Sequence, residues 1–76
     1  MMATRTVGIE VPHLQAWRLR RLMKQGELAA AAGVSRFTVQ RAERGERVSI
    51  TNVRKLAQAL GVTADQLRYV DPEAKG

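Results

Sequence analysis

The chain contains no cysteine, which excludes a disulfide framework and any thiolate metal site, and it suits a reducing compartment. His13 is its only histidine, and its seven carboxylates are scattered. Neither a metal cluster nor a nucleophile–base pair is visible, so no metal, cofactor or small-molecule ligand is expected, and an enzyme is not. No glycine-rich loop of the phosphate-cradling kind occurs either. Long apolar runs are also missing. The longest, Leu28 to Val34, is mostly alanine and far below the ~20 residues that cross a bilayer. Residues 1–13 lack the basic-then-apolar layout of a signal peptide, so the expectation is a cytoplasmic protein with no membrane partner. Length is short too: 76 residues allow one domain, which at this size buries only about 60% of its unfolded surface and gains from a partner.

What the chain has in quantity is positive charge. Thirteen Lys and Arg against seven Asp and Glu give a formal net charge of +6, and most of the cations are arginines, whose planar guanidinium suits phosphate and guanine. A polyanion is the expected partner.

The spacing predicts an all-α fold, a compact bundle of five short helices. Residues 1–13 carry no helical pattern; Val7, Ile9 and Val11 alternate as in a short strand ended by Pro12, so this stretch reads as an N-terminal arm. Residues 14–69 form the domain and 70–76 a frayed, flexible tail. In the first helix Leu14, Trp17 and Leu22 mark one face. A second helix spans Gln25 to Ala32 and stops at Gly33. Val34 is expected as a buried plug, and Ser35 caps a third helix, Arg36–Arg44, that turns Val39 and Ala42 inward. Ser49 caps a fourth helix with the apolar stripe Ile50, Val53, Leu56, Ala57 and Leu60 and its stop at Gly61. Thr63 and Gln66 are spaced as a capping box for a last helix that buries Leu67. Helices this short are not stable alone in water, so packing around Trp17, Leu28, Val34, Val39, Val53, Leu56 and Leu60 has to hold them.

The segment Gln25–Arg44 has the anatomy of a helix-turn-helix. Two helices meeting at a corner need small residues there. Ala29 meets the first need, and Gly33 takes the left-handed backbone of the turn, while Leu28, Ala32, Val34, Val39 and Ala42 face inward. Ala30 and Ala31 are expected on the solvent side.

The stretch QGELAAAAGVSRFTVQRAERG resembles the helix-turn-helix of the lambda-repressor-like family, the Cro and cI type of regulator, and VRKLAQALGVTADQL (Val53 to Leu67) resembles that family's fourth and fifth helices. The resemblance covers about residues 14–67. It implies that the third helix enters the major groove of double-stranded DNA, with Arg36, Phe37, Gln40 and Arg41 at the bases. Arg36 or Arg41 would pair with guanine, and Phe37 would meet a thymine methyl. Gln25, Thr38, Arg44, Arg47 and Asn52 would hold phosphates, which position the protein without reading sequence. Arg18 and Glu43 match a structural ion pair. The chain departs from the family in having Lys24 where Ser or Thr usually caps the second helix, Gly26 in its first turn, and Val48 where proline is frequent.

The resemblance therefore implies a transcriptional regulator, a repressor in a bacterium or phage, binding an inverted repeat as a homodimer, with half-site centres ~34 Å apart. The fifth helix with Leu67 and Tyr69, or strand exchange by Val7 to Val11, would supply the dimer surface. Rival readings are an antitoxin or protein-interaction adaptor on the same fold, and an amphipathic membrane-surface protein built on Leu14–Lys24. The short flanks weigh against the antitoxin, and the core awaiting the first helix weighs against the membrane.

Overall fold

Local sequence rules place most of the helix boundaries in the computed structural model, which describes residues 8–74. Val7, the rest of the stretch before Gly8, and the last two residues lie outside the described residues. Five helices follow one another: α1 (Leu14–Arg20), α2 (Gln25–Ala32), α3 (Arg36–Glu43), α4 (Ile50–Leu60) and α5 (Ala64–Tyr69). The only β-pairing among the described residues is an isolated antiparallel bridge between Ile9 and Val48.

Three N-termini are closed by the residues expected to close them. Ser35 Oγ accepts from the Thr38 amide at 3.1 Å and Ser49 Oγ from the Asn52 amide at 3.2 Å. At α5 the box is reciprocal, with the Gln66 amide donating to Thr63 Oγ1 and the Thr63 amide to Gln66 Oε1. At α2 only half a box forms: the Lys24 amide donates to Glu27 Oε1 at 2.7 Å, and a lysine side chain has no acceptor to return the bond.

Four C-termini share one design, in which an amide two or three residues past the helix bonds back to a carbonyl five residues earlier. The pairs are Met23 to Arg18, Val34 to Ala29, Glu46 to Arg41 and Val62 to Ala57. The motif needs a left-handed residue just before that amide. Gly33, Gly45 and Gly61 supply it for α2, α3 and α4, whereas α1 uses Leu22, at φ +58°. This corrects the expectation that Leu22 shares a buried face with Leu14 and Trp17. The helix has already ended at Arg20, the chain reverses its twist, and Leu22 swings out to 90% exposure.

Leu14, Leu28, Val39, Leu56, Leu60 and Leu67 form the centre of the core, together with Val11 and Val53. α2 packs on both α3 and α4, and α1 reaches α3 and α5. Ala29 is buried at the α2–α3 corner while Ala30 and Ala31 face solvent. Val34 is half-buried at the rim of the core rather than a plug. Ile50, read as part of the α4 stripe, is 57% exposed: first-turn side chains lean back towards the N-terminus, beyond the end of the core. Leu67 is fully buried in the core, so it is not available for the dimer surface expected of it, and Tyr69 is left exposed on α5.

The two ends of the described chain are held in place. Val11 is fully buried, and the His13 amide donates to the Leu67 carbonyl at 3.1 Å. The Trp17 indole N–H is shared between the carbonyls of Gln66 (3.1 Å) and Val70 (2.9 Å). Arg21 Nε donates to the carbonyl of Leu60 at 2.8 Å and so caps the end of α4.

Candidate nucleic-acid interface

A buried charge fixes the orientation of α3. Arg18 Nε donates to Glu43 Oε2 at 2.5 Å and its Nη2 to Oε1 at 3.1 Å, a two-pronged pair whose side chains are 8% and 5% exposed. Two further bonds join the pair: Arg18 Nη1 donates to the Met23 carbonyl at 2.7 Å, and Gln25 Nε2 donates to Glu43 Oε1 at 2.9 Å. One carboxylate at the end of α3 thereby collects α1, the α1–α2 turn and the first residue of α2. Among the described residues no buried side-chain polar atom is left without a partner, so the ion pair meets the condition under which burial of charge is tolerated.

With Val39 and Ala42 locked inward, the opposite face of α3 projects from the molecule. Arg36, Phe37 and Gln40 line one outward depression, and the Phe37 ring is 72% exposed. The structure groups these three base-reading candidates and sets the fourth apart. Arg41 lines a second depression with Thr38, Arg47, Val48, Ser49 and Asn52, where α3 meets the start of α4. Arg44 lies on the other flank, in a depression with Gln15, Gln25, Gln40 and Glu43. Arg44 is also the C-cap of α3 rather than its last helical residue, because the helix ends at Glu43.

Cationic and amide groups therefore flank the outward face of α3 on both sides, one set from α1, α2 and the end of α3, the other from the α3–α4 loop and the start of α4. Glu46 sits between the two arginines, 3.6 Å from Arg41 Nε and 3.3 Å from Arg44 Nη2, on exposed side chains. Such pairs contribute little and hold both guanidinium groups at the surface without fixing them there. Gly33, in the turn, has φ +73° and open space around an added Cβ; Ala29 packs below it.

Sequence reasoning missed Gln15, Ser49 and Glu46. Gln15 precedes Arg18 by three residues on α1, so the ion pair locates it beside Gln25 once both helices are drawn. Ser49 was read only as a cap, yet it borders the Arg41–Asn52 depression.

A family profile described as Helix-turn-helix matches residues 14–67. Among solved structures, the restriction-modification controller protein C.AhdI from Aeromonas hydrophila is similar, with 37% identity and a TM-score of 0.69 over 74% of this chain and 86% of that one. SinR, the master regulator for biofilm formation, solved in complex with DNA, shares 26% identity at a TM-score of 0.68, over 74% of this chain and 92% of its own; the protein comes from Bacillus subtilis. The P22 c2 repressor bound to a synthetic operator shares 26% identity at 0.70, over 83% and 97% respectively. A sequence search of curated proteins finds no match. The chain belongs to the helix-turn-helix family of the lambda-repressor type, whose members are DNA-binding regulators.

Proposed function

We propose that the protein is a sequence-specific, double-stranded-DNA-binding repressor that reads an inverted repeat in the major groove as a homodimer. The observation that carries this reading is the exposed Arg36–Phe37–Gln40 face between two polar flanks. A groove-inserted helix needs base-reading groups on its ridge and phosphate-binding groups on both sides. Arg36 takes the guanine contact through its forked guanidinium. Phe37 has no hydrogen-bonding group and takes a thymine methyl, and Gln40 reaches the adjacent base.

The grouping of Arg41 with Thr38, Arg47 and Asn52 favours a phosphate for Arg41 rather than a base. Gln25 spends one amide hydrogen on Glu43 and keeps a second for a phosphate on the opposite strand, joined by Arg44. The relatives solved with DNA and with an operator support the same docking.

Selection of bound duplexes from a random pool tests the proposal, with an enriched palindrome as the expected outcome; no enrichment would end it. On the selected duplex Arg36→Ala is expected to cost about 1–3 kcal/mol and to relax preference at one base position. An equal loss on every sequence would move Arg36 to the phosphates.

A further inference from the structure

The segment Gly8–Glu10 runs against the α3–α4 loop, and its contact there is backbone on backbone. The Ile9 amide donates to the Val48 carbonyl at 2.9 Å and the Val48 amide returns the bond to Ile9 at 2.9 Å, a reciprocal antiparallel pair. Gly8 approaches even more closely. It holds φ +121°, and a Cβ there would lie 2.8 Å from the Val48 oxygen, 3.1 Å from its carbon and 3.4 Å from the Arg47 Cβ. Backbone atoms cannot yield as a flexible side chain does, so any side chain at position 8 displaces the Val48–Ser49 peptide, and with it Val48 and the neighbouring Arg47. Below that peptide Val48 is buried, at 5% exposure, and leaves no room to retreat.

Arg47 stands between two depressions. One is the Thr38, Arg41, Ser49 and Asn52 flank of the interface; the other is lined by Gly8, Ile9, Glu10 and Arg68. No carboxylate among the described residues forms an ion pair with Arg47, so the course of its backbone sets where the guanidinium starts. We infer that Gly8 is a positioning residue for DNA binding: by allowing the Ile9–Val48 bridge to close, it aims Arg47 at a backbone phosphate beside the recognition helix. The inference rests on the DNA-binding reading above. It goes further by giving a role to a segment outside the helix-turn-helix.

The test is a double-mutant cycle of Gly8→Ala and Arg47→Ala, read by anisotropy of a labelled duplex between 50 and 200 mM salt. Two duplexes are used, the one enriched by selection and one of scrambled sequence. Each single variant is expected to lose about five- to tenfold in affinity per half-site at 0.1 M salt on both duplexes, and to flatten the log–log salt slope by about 0.9 per half-site, the share of one phosphate, or about 1.8 for a bound dimer. The double variant is expected to bind no worse than Arg47→Ala. Additive losses, or full-strength binding by folded Gly8→Ala, would overturn the inference. Melting curves set a temperature at which all four proteins are folded. Should Gly8→Ala fold poorly, Ile9→Pro, which removes the Ile9 donor and sets the proline ring against the Val48 oxygen, takes its place in the cycle with the same expected outcomes. A wild-type chain that binds neither duplex would take the DNA-binding reading and this inference down together. A wild-type chain that binds while the cycle is additive would remove this inference alone.

Discussion

Leu22 holds a left-handed backbone, φ +58°, with 90% of its surface in water. For an L-residue with a side chain that conformation costs roughly 1–2 kcal/mol, and the exposed isobutyl group contributes no burial to offset it. Leu22→Gly is therefore expected to stabilise the domain by about 1 kcal/mol, part of the relief being lost to glycine's freer unfolded state. For a domain of this size that corresponds to a rise in Tm of about 4–8 °C. A Tm that stays level or falls, and falls further on dilution, would mean that Leu22 is covered by another copy of the chain. Gly33 is the converse case. Its φ is +73° but an added Cβ meets nothing within 4 Å, so Gly33→Ala is expected to cost about 1 kcal/mol from backbone alone. The tight turn is a matter of chirality there, not of space.

At the scale of elements, the Arg18–Glu43 pair decides how α3 is presented. Its side chains are almost wholly buried, and removing one partner strands the other charge. Glu43→Leu is expected to cost about 3–5 kcal/mol in urea unfolding, while Arg18→Met combined with Glu43→Leu costs much less. Losses that simply add would show that the two residues act independently. The capping residues Ser35, Ser49, Thr63 and Gln66 and the stop at Gly61 were legible because each acts within three or four residues of itself. The spacing of Leu14, Trp17 and Leu22 misled because periodicity carries no mark of where a helix ends on a non-glycine residue. Ile50 misled because a stripe says nothing about which end of it overhangs the core. In α2, apolar residues occur on every side, so the buried position of Ala29 followed from the corner it had to fit and not from patterning. The division of the interface was hidden for a similar reason. Arg36 and Arg41 are chemically alike, and only the start of α4 beside Arg41 sets it apart from the depression lined by Arg36, Phe37 and Gln40.

For the molecule as a whole, a net charge of +6 and cationic groups on both flanks of α3 make affinity a strong function of salt. If six or more phosphates are engaged, binding is expected to fall about 10³-fold or more between 50 and 200 mM. Titrations across that range check it, and a flat response would argue for a protein partner in place of DNA. The Trp17 indole, in turn, depends on carbonyls 49 and 53 residues further along the chain. During synthesis, at about 5–20 residues per second, α1 leaves the ribosome well before α5, and its tryptophan has no acceptor until Gln66 has emerged and gains the second only with Val70. The packing around Trp17 is thus completed only once α5 is available. A nascent chain arrested before Gln66 should show a water-exposed indole in its emission, and emergence of α5 should shift that emission to the blue.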